Sequence, residues 1–380
     1  MISRRFLTLM GLTLMALSAM ALSAMAQQAG DVLAAARKAN HYFMQKHPDP
    51  TQATFVRKVR PSSLWTRAVY YEGLMALQAV DPQETYVDYA LRWARFHQWT
   101  PRNGVTTTDA DDQCCCQTYL ALLPYAGDDA AKVLPIVRDN LDRQMASGRH
   151  NYWSWIDAVQ MALPLYAQVG QATADARYMD YAMKAYRWTR NECGGGCFNE
   201  QTGLWYRDAD FVPPYREPDG QECYWSRGNG WVYAALVRTL QTVGKRHKYY
   251  KELKADFLTM TRAIAACQRQ DGLWNVSMTS THYAGPELTG TALFLYGLSW
   301  GISQGLIKAK TYRPVADRAW QGMERICLHP DGFLGYVQGT GKQPSDGQPV
   351  SYTSVPDFED FGTGCFLLGA TEYYKLLGKR

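Results

Sequence analysis

Two kinds of helical segment alternate along this chain, and that alternation constrains its fold more than any other feature. Six segments are amphipathic and charged: residues 31–46, 85–99, 130–147, 176–190, 249–268 and 311–327. Interleaved with them are six that are apolar nearly all round and rich in glycine and alanine: residues 67–79, 117–126, 156–170, 229–244, 289–305 and 362–377. A charged stripe leaves one face wet, whereas a helix apolar on every side must be covered on every side. Strand patterns are scarce. Six covered helices alternating with six half-exposed ones predict an all-α fold, an (α/α)6 barrel in which a double ring of helices closes on itself. Helix pairs can also stack as an open solenoid, and YVDYALRWARF at 86–96 does resemble YMDYAMKAYRW at 178–188. The ring is favoured because no polar capping repeat is present and the connections are unequal in length.

The first 26 residues are expected to stand apart from this fold. Arg4 and Arg5 precede a long uncharged run that ends at Ala24-Met25-Ala26, the pattern of a cleaved secretory signal peptide. Residues 27–380 are then expected to form one catalytic domain, exported to the periplasm, with no later segment apolar enough for a membrane helix. The formal charge of +5 is small for the length, and no basic block stands out, which excludes a nucleic-acid partner. Nine cysteines lack the paired C-x-x-C elements of structural zinc. A Cys193–Cys197 or Cys193–Cys223 disulfide is open to an exported chain, as is the alternative of buried thiols in a helical core. No cofactor or metal is implied, and oligomeric state is not encoded in any recognisable pattern.

The polar residues that break the apolar pattern fall just before or at the start of the covered helices. They are Asp111 and Asp112, Asp157, Arg227 and Asn229, Glu287 and Thr289, and Asp357 and Asp360. If those helices run parallel, all converge at one mouth of the barrel, where helix N-termini favour an anionic ligand. Asp157 lies in NYWSWIDAVQMALPLY, among tryptophans and aliphatics. Poor solvation raises a carboxyl pKa and suits it to general-acid work. A second carboxylate nearby would divide acid and base roles, and TTTDADDQCCC offers Asp112, with Asp111 as the alternative. The spacing there lacks the further ligands of a calcium loop. In YWSRGNGW, Trp225, Arg227 and Trp231 suggest sugar-stacking faces and a carboxylate fork, with Gly228 and Gly230 allowing close approach. His150 lies near the same region of sequence. Together these residues read as a site for an acidic carbohydrate.

The segments WSRGNGWVYAALVRTL at 225–240, WIDAVQMALPLYA at 155–167 and DADDQCCCQTYLAL at 109–122 resemble glycoside hydrolase families 105 and 88, the unsaturated rhamnogalacturonyl and glucuronyl hydrolases. ELTGTALFLYGLSWGI at 287–302 and EDFGTGCFLLGATEYYKLL at 359–377 extend the likeness. The resemblance implies an exo-acting enzyme that hydrates the C4=C5 double bond of an unsaturated uronic acid at the non-reducing end of a lyase-generated oligosaccharide. It implies proton transfer by Asp157, a second carboxylate at Asp112 or Asp111, and substrate contacts from Trp155, Trp225, Arg227 and Trp231. Where many relatives carry histidine after the glycine turn, this chain has Arg207, expected to contact a substrate anion. Two alternatives remain open at this point: an ordinary inverting glycosidase, and a non-catalytic protein that binds acidic sugars.

Overall fold

The computed structural model describes residues 27–56, 59–357 and 359–378. The expected signal peptide therefore lies outside the described residues. Thirteen helices are found among them: α1 (27–46), α2 (Trp65–Gln78), α3 (Glu84–Phe96), α4 (Ala110–Gln113), α5 (Cys115–Ala121), α6 (Ala130–Ala146), α7 (Asp157–Thr173), α8 (Ala176–Asn191), α9 (Ser226–Val243), α10 (Tyr250–Ala266), α11 (Leu288–Ser303), α12 (Ala309–Gly322) and α13 (Asp360–Gly378). None is long and apolar enough to cross a membrane.

The near-continuously buried helices pack side by side in the order α2, α4/α5, α7, α9, α11, α13, and α13 returns to pack on α2. That last contact decides between ring and solenoid, because an open stack leaves its first and last repeats apart. The inner ring can be this tight because glycines sit where its helices cross. A Cβ on Gly364 would fall inside contact distance of the Val69 carbonyl, and one on Gly73 would collide with Gly364. Gly290 against Ser226 and Gly369 against Ala292 repeat the arrangement elsewhere in the ring. Glycine costs about 1 kcal/mol in a helix interior relative to alanine, and close backbone packing offsets that cost.

The amphipathic helices form the outer layer, with α3 on α2, α6 on α5, α8 on α7, α10 on α9 and α12 on α11. Helix α1 fills the remaining outer place. Tyr70 of α2 donates to Asn40 at 2.8 Å, and Gln28 donates to Tyr373 of α13 at 3.2 Å. The (α/α)6 barrel expected from the alternation is the architecture found. One inner element departs from expectation. Instead of a helix over 117–126, the chain forms α4 and α5, which meet at Cys114, and helical structure gives way to a 3₁₀ turn, Leu123–Tyr125, around Pro124. Proline removes a backbone donor and clashes with the preceding turn, so α5 ends early.

Three two-stranded ribbons lie in connections that lead to inner helices: β1–β2 (Thr54–Phe55, Val59–Arg60), β3–β4 (Phe198–Asn199, Leu204–Trp205) and β5–β6 (Trp274–Asn275, Pro286–Glu287). The nine cysteines are free thiols in this structure.

Candidate active site

The N-termini of the inner helices do converge, as parallel packing requires. Thr66 and Arg67, in the first turn of α2, reach Asp360 at the start of α13 at 3.2 and 3.4 Å. Glu287 caps α11, accepting from the Thr289 and Gly290 amides at 3.0 and 2.7 Å, and also receives the Gln338 amide at 3.4 Å. Such caps satisfy the orphan N–H groups of a helix start. Trp65 stands edge-on to Trp231 at 6.1 Å and beside Phe361 at 5.5 Å, joining α2, α9 and α13 across the mouth.

Asp157 is the first residue of α7 and is buried. Its Oδ2 accepts from Arg207 Nε at 3.1 Å, while Arg207 Nη1 donates to Asp208 at 2.6 Å. Two backbone contacts hold this cluster in register: Ile156 N donates to the Arg207 carbonyl at 2.9 Å, and Trp155 bridges to Asp208. Burial pushes the Asp157 carboxyl above its usual range, and the Arg207 and Arg227 charges oppose the shift. Arg207 thus faces protein carboxylates, one of them the expected proton donor. Of its guanidinium, Nη2 alone takes no part in the hydrogen bonds to Asp157 and Asp208.

The two candidates for the second carboxylate sit in different settings. Asp112 has both oxygens occupied: Arg102 binds one at 3.1 Å, and Asn103 and Thr107 bind the other at 2.9 and 2.8 Å. It pins the loop before α4. Asp111, one residue earlier in the same turn, is partly exposed and its carboxyl has no hydrogen-bond donor among the described residues. Burial, then the charges of Asp109 and Asp157, push its pKa up to about 8. The Asp157 charge thus reaches Asp111 and helps to keep its carboxyl protonated, as a neighbouring like charge does.

The YWSRGNGW stretch also differs from expectation. Trp225, Arg227, Asn229 and Trp231 are all buried. Arg227 donates to the Gln338 and Gly339 carbonyls at 2.7 and 2.8 Å and lies over the rings of Trp225 and Phe361. Trp225 Nε1 donates to the Gln338 side chain at 2.8 Å. Asn229 exchanges hydrogen bonds with the Trp205 backbone, accepting at 2.8 Å and donating at 3.0 Å. The stretch clamps the 338–339 loop and β4 onto the start of α9; none of the four presents an open face. The aromatic faces with partial exposure near the mouth are Trp155 and Trp65. His150 is half-exposed in the loop after α6, and its imidazole has no partner among the described residues.

A model of the family described as Glycosyl Hydrolase Family 88 matches residues 35–377. The chain belongs to Glycosyl Hydrolase Family 88. It is accordingly a glycoside hydrolase. Its relatives include proteins named unsaturated 3S-rhamnoglycuronyl hydrolase. The one from Formosa agariphila is 28% identical over 82% of this chain and 84% of the relative, and the one from an Alteromonas species 27% over 83% and 78%. Among solved structures, a family 88 glycosyl hydrolase from Bacteroides vulgatus superposes with a TM-score of 0.81 at 30% identity, covering 92% of this chain and 99% of that one. A structure described as a polysaccharide lyase gives a TM-score of 0.82 at 29% identity, with 93% and 99% covered. An unsaturated glucuronyl hydrolase from Bacillus sp. GL1 shares the fold at 16% identity, with a TM-score of 0.60 over 92% and 95% of the chains.

Several residues of this family 88 site were not singled out from sequence. Asp208 follows Arg207 directly in YRDAD, and Arg67 holds the first-turn position of α2. A search for charged residues at equivalent first-turn positions would have found Arg67. Gln338 had no such signal, because its importance comes from a loop brought in by tertiary packing. Among the described residues, no group of three or more His, Cys, Asp or Glu side chains is arranged to hold a metal ion.

Proposed function

We propose that this family 88 protein hydrates the C4=C5 double bond of a 4,5-unsaturated uronic acid at the non-reducing end of lyase-generated oligosaccharides, of rhamnogalacturonan or arabinogalactan type. The observation that carries the reading is two carboxyls at the starts of neighbouring inner elements: Asp157, held by Arg207, and Asp111, which feels the Asp157 charge and accepts no hydrogen bond among the described residues. The rhamnoglycuronyl activity named for both curated relatives supports the substrate class.

In this reading the pair shares one proton in the free enzyme. Arg207 favours the charge on Asp157 and leaves the proton on Asp111. That proton goes to C4 of the enol ether, and positive charge develops at C5 and the ring oxygen. Water adds at C5 and gives its proton to the ionised carboxylate. The hemiketal so formed opens, and the hemiacetal left at C1 expels the remaining sugar chain. Trp155 and Trp65 would flank the sugar, and the free edge of Arg207 would attract its carboxylate. Export to the periplasm accompanies this reading, on the basis of the arginines and the Ala24-Met25-Ala26 site at the chain start. Cell fractionation tests that part.

The lyase-described relative supports a second reading, in which the same carboxylates eliminate across C4 and C5 of an intact uronate chain. One assay separates the two, because hydration consumes ultraviolet absorbance and elimination creates it. Lyase-digested pectin and arabinogalactan oligosaccharides should lose absorbance with the enzyme, while undigested polysaccharide should show no gain. Gain on intact polymer would support the lyase reading, and no loss on any digest would sink the hydration reading.

A further inference from the structure

Two cysteines bond to the two chain segments that carry the Arg207–Asp157 ion pair. Cys193 begins the 3₁₀ turn Cys193–Gly195 after α8, and Cys197 follows it at the start of the β3–β4 ribbon. The Cys193 thiol donates to the Ser154 carbonyl at 3.4 Å, three residues before Asp157. The Cys197 carbonyl accepts from the Tyr206 amide at 2.8 Å, one residue before Arg207. Each end of this turn therefore supports one partner of the Arg207–Asp157 ion pair.

The turn also brings the two side chains together. Gly196 N donates to the Cys193 carbonyl at 2.9 Å, closing a tight turn, and the Cys197 sulfur lies 3.7 Å from the same carbonyl oxygen. Gly194, Gly195 and Gly196 all have positive φ, at 62°, 97° and 105°, a path that side-chain-bearing residues rarely follow. Three consecutive glycines permit a chain reversal that folds Cys197 back onto Cys193. The two thiols lie within hydrogen-bonding reach of each other, the close approach that a disulfide's short Cβ–Cβ separation requires. Both residues are buried. The other candidates are poorer. Cys115 and Cys116 are adjacent within α5, where a bridge would break the helix, and Cys223 is set beside Glu217.

We propose that Cys193 and Cys197 form a disulfide during folding in an oxidising compartment, and that the bridge fastens the segment leading into Asp157 to the segment of Arg207. In the oxidation the two thiols release two protons and two electrons, and one S–S bond forms. A disulfide oxidant takes up the electrons and protons and is itself reduced to two thiols. The bridge holds the turn closed from both ends, so the positions of Ser154 and Tyr206 become fixed relative to each other. The positional effect rests on the proposed reading of the Arg207–Asp157 pair; the existence of the bridge does not.

The test is a thiol count on full-length protein matured through an oxidising compartment, unfolded in denaturant without reductant and alkylated with iodoacetamide. Two fewer labelled thiols than the nine cysteines are expected. Mass spectrometry should find Cys193 and Cys197 unlabelled, and labelled only after reduction. Nine labelled thiols, or a bridge between any other pair, would overturn the inference. A C193S/C197S variant adds a functional readout. Reductant should lower the thermal midpoint of the oxidised wild type by a few degrees and leave the variant unmoved. An equal response in both proteins would overturn the stabilising role. The thiol count needs no substrate, so the bridge and the proposed reaction can fail independently.

Discussion

Replacing Asp111 by asparagine should make the protein more stable and nearly inactive. The side chain keeps its shape but loses its proton and its charge. In the unfolded chain this carboxyl titrates near its ordinary value of 3.8, whereas in the folded protein burial and neighbouring aspartates push it up to about 8. Between those values the unfolded chain has released its proton and the folded protein has kept it. Rising pH therefore favours unfolding, and stability falls from about pH 4 up to pH 8. At pH 7 the span is about three units at about 1.4 kcal/mol each, an upper bound near 4 kcal/mol. Asp111 is partly exposed, and solvent screening reduces that figure to about 1–2 kcal/mol. Asparagine cannot ionise and escapes this cost. Urea unfolding should show Asp111→Asn more stable than wild type by that amount at pH 7, with the difference vanishing near pH 4. Loss of a positioned general acid typically costs 10²–10⁴ in rate, to be read as slower consumption of ultraviolet absorbance on unsaturated oligosaccharides. A variant that turned over at nearly the wild-type rate, or that was no more stable at pH 7, would refute the placement of the shared proton.

The remaining expectations address the pair, its supports and the ring. Wild-type kcat/KM should fall about tenfold per pH unit above about pH 8, as Asp111 loses its proton; a flat profile to pH 9.5 would count against its role as the acid. Asp112→Ala removes three hydrogen bonds from the loop before α4 and should cost about 2–4 kcal/mol in urea unfolding, with a smaller rate loss than Asp111→Asn. The opposite ranking of the two rate losses would return the second carboxylate to Asp112. Asp360→Ala leaves Arg67 buried without its charge partner and should cost about 3–5 kcal/mol, measured by thermal or urea unfolding. A loss below about 1 kcal/mol would show that the ion pair does little to hold α2 to α13.

Helix type and order were legible in the sequence because the buried and exposed faces follow from local periodicity. The expected segments match the helices found to within a few residues, with 311–327 completed by a π turn at Met323–Cys327 after α12, and the exception is the segment around Pro124. The parallel arrangement of the inner helices was also legible, through polar residues recurring at their first turns. Asp157 stood out as a carboxyl in an aromatic, aliphatic segment, and the structure buries it.

Side-chain roles within the mouth were less legible. Asp111 and Asp112 are adjacent in sequence and chemically identical, yet they differ in fate. The helical turn leaves one within reach of the Asp109 and Asp157 charges and sets the other against Arg102, Asn103 and Thr107. Arg227 and its tryptophans looked like ligand contacts because their sequence neighbours cannot show that residues 338–339 cover them.

The sequence by itself determined an all-helical chain of alternating buried and amphipathic elements, with charged residues gathered at one end of the buried set. Those features depend on contacts within a few residues. The closure of α13 on α2, the different surroundings of Asp111 and Asp112 and the covering of Arg227 depend on residues brought together from apart in the chain. Only tertiary packing brings such residues within hydrogen-bonding distance, so only the folded structure decided them.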